Sequence, residues 1–173
     1  DVLDDALHQA IDHHILEQAE GGSVTFRHSL LGETVADDLL PGARRRLHSA
    51  WLTALHAHPE VQAPGAVALH AAATGDTATA TTAAVEAGDA AMQVGGARDA
   101  LRLYEAALGW VDDDPGLRAR ISLSAAAAAE IAGEQTRSLD LLEEELADLD
   151  PREHPMLRAR LLIATASWYT SLD

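Results

Sequence analysis

A recurrence of close to forty residues in the second half of the chain limits its fold more than any other feature. Gly95 and Gly133 stand 38 residues apart, as do Leu101 and Leu139, Tyr104 and Leu142, and Leu108 and Leu146. The tetrapeptide Leu117-Arg118-Ala119-Arg120 returns 40 residues later as Leu157-Arg158-Ala159-Arg160. Recurrence on a period of roughly 34–40 residues, with paired helical patterns in each period, marks an α-solenoid. Each unit reads as an alanine-rich helix A, a glycine turn and a leucine-rich helix B. The first unit has helix A over 77–94, a turn at Gly95-Gly96 and helix B over 97–111. Ala97, Ala100, Leu101, Tyr104, Ala107, Leu108 and Val111 form the inner stripe of that helix B, and Asp112-Asp113-Asp114-Pro115 ends it. The second unit places its helices over 116–132 and 135–149, and a third begins at 155 without a helix B to follow. The third repeat, read as truncated, leaves the stripe Leu161, Ala164, Trp168 and Leu172 as an exposed repeat-end interface. Burying a large apolar side chain contributes roughly 1.5–3 kcal/mol. This end is therefore expected to meet a further repeat or to self-associate.

Upstream, residues 2–20 carry Val2, Leu3, Ala6, Leu7, Ala10, Ile11, Ile15 and Leu16 at helical spacing. The run leads into Glu20-Gly21-Gly22-Ser23, a turn signal, and then Val24-Thr25-Phe26-Arg27. The pattern predicts a helix, a short strand, a tight turn and a second short strand. A helical pattern resumes at Leu30 and is interrupted at Pro41-Gly42. The next helix runs to about His58, with Leu47, Trp51, Leu52 and Leu55 on one face, and a shorter one spans 66–74. Trp51, Trp110 and Trp168 fall within apolar stripes and read as core or interface residues. The expected fold is mainly α, an α-solenoid of tetratricopeptide-like helix hairpins after a module with a small β-hairpin. Its parts are 1–40, linking helices over 41–75, and repeats over 76–173.

Composition supports helices and narrows the chemistry. Hydrophobic residues make up 47% of the chain, much of it alanine, while aromatic residues supply only 3%. That balance suits close helix packing better than β-structure. The formal charge of -16, from 28 acidic and 12 basic residues, opposes direct contact with nucleic acid or an anionic membrane. Cys, Lys and Asn are absent, which removes disulfides, thiolate nucleophiles, Schiff bases and any lysine of a phosphate-binding loop. With no long apolar run and no leader signal, a cytoplasmic setting is expected. The chain opens at Asp1 within a helix-like pattern and reads as a piece of a longer protein.

The segment from Val24 to His48 is the most informative. Phe26, Arg27, His28, Leu30, Leu31, Glu33, Val35, Asp38 and Leu39, followed by Pro41, Arg44, Arg45, Leu47 and His48, resemble a passage in the large ATP-binding LuxR-type transcriptional regulators. Those proteins belong to the signal-transduction ATPases with numerous domains (STAND). The passage joins their winged helix to their helical repeats. Ala36 stands where an aromatic residue is common. Ala87-Gly88, Ala100-Leu101, Tyr104-Glu105 and Ala107-Leu108 also fit the repeat region of that family. The resemblance implies that residues 1–40 close a winged-helix module. It also implies a parent with an upstream ATP/ADP-binding P-loop module and a C-terminal helix-turn-helix, neither within these residues. In the wider class a histidine at this position approaches the phosphates of bound ADP. The resemblance thus implies phosphate sensing by His28, with Arg27 adding charge, at the start of a helix whose amides favour anions.

Other clusters have plain readings beside the functional ones. His13-His14 point about 100° apart on a helix, and His8 with Asp12 supplies too few ligands for zinc. His56 with His58 is no better supported, and His70 stands alone. Arg44-Arg45-Arg46 reads either as an interdomain contact through Arg44 and Arg45 or as a solvated face paired with Glu33, Asp37 or Asp38. Glu143-Glu144-Glu145 reads as a solvated outer face. No nucleophile motif appears. The expected role is non-catalytic and needs no cofactor in this segment: sensing and relay within a STAND-type regulator. Its partners would be other domains of the parent and a protein or small-molecule effector on the repeats. The alternatives are a peptide-binding repeat scaffold without a nucleotide switch and, from another class, a helical hydrolase or metal protein.

Overall fold

Local stop and start signals account for most element boundaries. The computed structural model describes residues 2–18, 24–61 and 63–171, with only the backbone of Trp168, Thr170 and Ser171. The elements are α1 (Val2–Asp12), β1 (Leu16–Gln18), β2 (Val24–Phe26), α2 (Ser29–Asp38), α3 (Pro41–Ala57), a 3-10 turn (Pro59–Val61), α4 (Pro64–Thr74), α5 (Thr77–Gln93), α6 (Ala97–Leu108), α7 (Pro115–Ile131), α8 (Gln135–Asp148) and α9 (Pro155–Ser171). The fold is mainly helical, with one antiparallel hairpin among the described residues. The chain divides into compact units at Leu47/His48, inside α3.

The first unit holds α1, the hairpin, α2 and the beginning of α3. The helical spacing read over 2–20 is used only to Asp12. His14 adopts a left-handed backbone (φ 58°), which turns the chain out of the helix and sends Leu16 into β1. The hairpin pairs Leu16 with Phe26, Glu17 with Thr25 and Gln18 with Val24, and the Arg27 amide donates to the Ile15 carbonyl (3.0 Å). The predicted turn at 20–23 lies outside the described residues. The Phe26 ring lies on Gly32 of α2, where an added Cβ would stand 3.0 Å from the ring. No described residue of this unit is buried. Two three-residue strands are marginal by themselves, so the unit gains little stability from its own contacts.

The second unit begins with the end of α3 and continues as a stack in which α4 through α9 each pack along the next. α4, read from sequence as part of a linking region, packs along α5 and belongs to this stack. α7 also packs on α9, a neighbour-but-one contact of the kind stacked helix hairpins make. The recurrence is reproduced in atomic detail. Asp76 and Asp114, 38 apart, cap α5 and α7 by accepting the amides of Thr79 (3.1 Å) and Leu117 (2.9 Å). Gly95 and Gly133 follow those helices with the same left-handed φ of 81°. The next amides, of Gly96 and Glu134, reach back to the Ala91 and Ala129 carbonyls, each at 2.8 Å. The repeated Leu-Arg-Ala-Arg also acquires a role. Arg118 donates to the carbonyl of Leu108 (3.3 Å) and Arg158 to that of Leu146 (2.8 Å). Each arginine so ties its helix to the C-terminal turn of the helix before it.

Alanine lets the A helices lie close along their sequence neighbours. Ala80, Ala83, Ala84 and Ala87 of α5 and Ala125, Ala128 and Ala129 of α7 are buried, against Leu101 and Tyr104 of α6 and Leu141 of α8. Gly88 permits the tightest contact: a Cβ there would lie 2.6 Å from the Tyr104 ring. A second cluster joins Ala119, Ala126, Leu142, Leu149 and Leu161.

One sequence expectation is overturned in this unit and another is narrowed. Leu161 is not on an exposed repeat end: it is 0% exposed, and with Leu157 and Ala164 it faces the second core cluster. The Leu161 and Ala164 part of that stripe lies on the inner face of α9, and Met156, Leu162, Ile163 and Tyr169 are among the apolar residues turned outward. The Trp168 side chain and Leu172 lie outside the described residues. Trp51, read as core or interface, is 59% exposed and so is not a core residue.

Candidate functional site

A broad cleft lies within the second unit, where the end of α3 and the 3-10 turn stand off from α4 and α5. It encloses about 820 Å³ between Leu55, Val61, Pro64, Val67, Ala83 and Glu86. Pro59 and Pro64 explain its shape. Each begins a new element and prevents α3 from continuing into α4, so the chain bends and leaves space between helices. The walls are mostly apolar. Thr82 directs its hydroxyl to the Ala78 carbonyl (3.1 Å), which leaves Glu86 as an exposed carboxylate at the rim, in no ion pair among the described residues. Such a cleft suits an apolar body with one polar or cationic group.

A smaller groove, of about 300 Å³, runs between α5 and α7 past Thr81, Val85, Asp89, Arg120, Ile121 and Ser124. Thr81 is buried, and its hydroxyl has no hydrogen-bond partner among the described residues. Asp89 accepts a hydrogen bond from the Tyr104 hydroxyl (2.7 Å). Burial, followed by that bond, raises the phenol far above its ordinary pKa and keeps it a donor.

The residues singled out from sequence sit as follows. His28 occupies the N-cap of α2 in an extended conformation (φ −123°, ψ 121°), with no side-chain capping bond. The ring is exposed at the helix start. Arg27 reaches Glu17 across the hairpin at 4.0 Å. Arg44 pairs with Asp37 at 3.6 Å and also donates to the Ala36 carbonyl near the end of α2. It thereby serves its own unit, while Arg45 is exposed and forms no ion pair among the described residues. His8 bonds the Asp4 carbonyl (2.7 Å) and His58 bonds Glu60 (2.9 Å). Among the described residues no three His, Asp or Glu side chains converge as metal ligands.

Two arrangements escaped the sequence reading. His70 does not stand alone: its Nδ1 lies 2.8 Å from that of His48, and its ring stacks on Trp51. Their separation of 22 and 19 residues follows no helical period, so only the α3–α4 arrangement reveals them.

The second is Glu145, read as part of a solvated acidic face. It is 4% exposed, inserted between α8 and α7, where Ser122 (3.2 Å) and Arg118 (3.2 Å) meet its carboxylate. Its neighbours behave as surface groups: Glu143 accepts from Tyr169 (3.2 Å) and Glu144 from Arg137 (3.3 Å). The signal that could have found Glu145 is its offset of four from Leu141, which puts it on the buried stripe. Burial raises the Glu145 pKa, partly opposed by Arg118 and Ser122. The native state then holds this proton more tightly than the unfolded chain. Stability linked to it is present below the unfolded pKa and is lost as pH climbs through the raised folded value. Glu145→Gln is expected to remove that loss. Urea unfolding should show the variant gaining on the wild type from about pH 4.5 towards neutrality. A constant difference across that range would contradict the burial argument.

No helix among the described residues is long and apolar enough to cross a membrane. No known protein-family model matches the chain, and no curated protein matches it in sequence.

Proposed function

We propose that this chain is the non-catalytic sensor and relay segment of a bacterial STAND-type, LuxR-family transcriptional regulator. The reading is carried by the element that follows the hairpin: β2 leads directly into a helix whose first position is held by His28, its imidazole exposed and unused by capping. In such a regulator His28, with Arg27 beside it, would face the phosphates of ADP bound to an ATPase module elsewhere in the protein. A helix N-terminus offers free amides and positive potential to an anion, and a neighbouring imidazole adds a donor. The helix stack would receive the signal. An effector that binds one conformation more tightly than another shifts the balance between resting and active forms. The 820 Å³ cleft beside α3 is the part of the stack best shaped for a small effector.

In the full-length protein, His28→Ala is expected to accelerate release of a fluorescent ADP analogue by about tenfold, the loss of one charge-assisted hydrogen bond. Unchanged release would remove His28 from the switch. The reading also requires a G-x-x-x-x-G-K-[ST] loop upstream in the same gene. If none is encoded, the peptide-binding scaffold takes its place, with the α5–α7 groove and its unpartnered Thr81 hydroxyl as the binding surface.

A further inference from the structure

Each helix from α4 onward packs along its successor, but α3 is absent from that series of helix-length contacts. Among the described residues a cluster of three rings joins its second half to α4. His48 and Trp51 come from α3, one turn apart, and His70 from α4. The two imidazoles approach with their Nδ1 atoms 2.8 Å apart and their planes at 49°. His70 lies nearly parallel to the Trp51 indole, 6° between planes with centroids 5.9 Å apart. Below this contact the joint opens into the cleft walled by Leu55, Val61 and Val67.

We propose that His48, His70 and Trp51 form a proton-sensitive latch that holds the second half of α3 against α4 and releases it in mild acid. The argument is one of hydrogen-bond inventory. An Nδ1···Nδ1 bond needs one nitrogen with its hydrogen and one without. The neutral pair satisfies this, and so does the singly protonated pair. When both rings carry a proton on each nitrogen, two N–H groups and two positive charges face one another at contact distance, and the bond cannot exist. Histidine is the side chain whose ordinary titration brings this change near physiological pH.

Among the described residues no carboxylate offsets that repulsion. The elements beside α4 are α5 and the end of α3. On α5, Asp89 is bonded to Tyr104, and Glu86 opens on the cleft. Asp76, in the turn after α4, is engaged by Thr79, with His56 acting on it. His58 is paired with Glu60, and Arg44 with Asp37. Arg45 and Arg46 precede His48 on α3 and could only add positive charge. Burial first, and then the charge of His48, lower the His70 pKa, and none of the other groups acts on it. Trp51 is mostly exposed, so protons reach the cluster without the stack unfolding.

Hydrogen exchange on the full chain tests the latch, using the wild type, His48→Gln and His70→Gln. Glutamine keeps a polar side chain at each half-exposed position and cannot acquire the second charge. Protection factors corrected for intrinsic exchange are compared at about pH 7.5 and about pH 5.5, either side of the histidine range. In the wild type the amides of residues 50–57 and 66–74 should lose about tenfold protection on acidification, the size of a one-unit pKa coupling. Amides of α6–α8 should keep theirs, and neither variant should show the acid-linked loss. Equal wild-type protection at the two pH values, or the same loss in both variants, would overturn the proposal.

Discussion

Leu161→Ala is expected to lower the unfolding free energy by about 3 kcal/mol, within the range for truncating a fully enclosed leucine. Leu161 is 0% exposed and touches the cluster built by Ala119, Ala126, Leu142 and Leu149. Removing its isobutyl group forfeits transfer free energy and leaves a void between α7, α8 and α9 that these helices can only partly close. The companion substitution Ile163→Ala, at a position 68% exposed, should change stability by less than about 0.5 kcal/mol. Urea denaturation of both variants separates the two faces of α9. If Ile163→Ala proved the costlier change, α9 would have to be rotated by about half a turn.

Gly88→Ala should cost about 2 kcal/mol, against the usual direction for glycine in a helix. An exposed helical glycine replaced by alanine gains up to about 1 kcal/mol from propensity. Here the new methyl would stand 2.6, 2.9 and 3.0 Å from three atoms of the Tyr104 ring. That ring is buried and anchored through its hydroxyl to Asp89, so it cannot swing away without breaking the bond. Overpacking of this kind costs about 1–3 kcal/mol, occasionally more. The clash has a specific remedy. In a Tyr104→Leu background the same Gly88→Ala change should become neutral or stabilising, and a double-mutant cycle by thermal or urea unfolding measures the coupling. A Gly88→Ala cost that persisted without the ring would place its origin elsewhere.

Sequence reading succeeded where local chemistry decides and failed where faces must be chosen. Asp76 and Asp114 before a helix, Pro115 at its start, and Gly95 and Gly133 after it act within a few residues. The ends of α5, α7 and α8 consequently fall within a residue or two of the periodicity. α6 stops at Leu108 instead of running to 111, because Gly109 and the Asp112-Asp113-Asp114 run favour a turn after it. On α9 the residues Leu157, Leu161, Leu162, Ile163 and Ala164 spread apolar character around most of the helix. Periodicity then identifies a helix without saying which side is covered. Glu145 was hidden for the opposite reason. It sits in a run of three glutamates, and only the buried positions of Leu141 and Leu142 in the preceding turn show that the run crosses from the inner face to the outer. The ring cluster of His48, Trp51 and His70 depends on how two helices are placed and has no signature along the chain. His28 was legible as a position, the first residue of a helix after a strand. The nucleotide it is proposed to meet belongs to other residues altogether.

The alanine-lined packing of α4 along α5 also sets how the stack can deform. Methyl groups meeting methyl groups interdigitate shallowly, so neighbouring helices can shear and twist with little steric resistance, as packed helices do in small sliding motions. Arg118 and Arg158, each hooked onto the carbonyl of the preceding helix, limit how far that slip can go. A stack built this way is elastic: torque applied at one hairpin is passed on as a small rotation of the next instead of being absorbed by local melting.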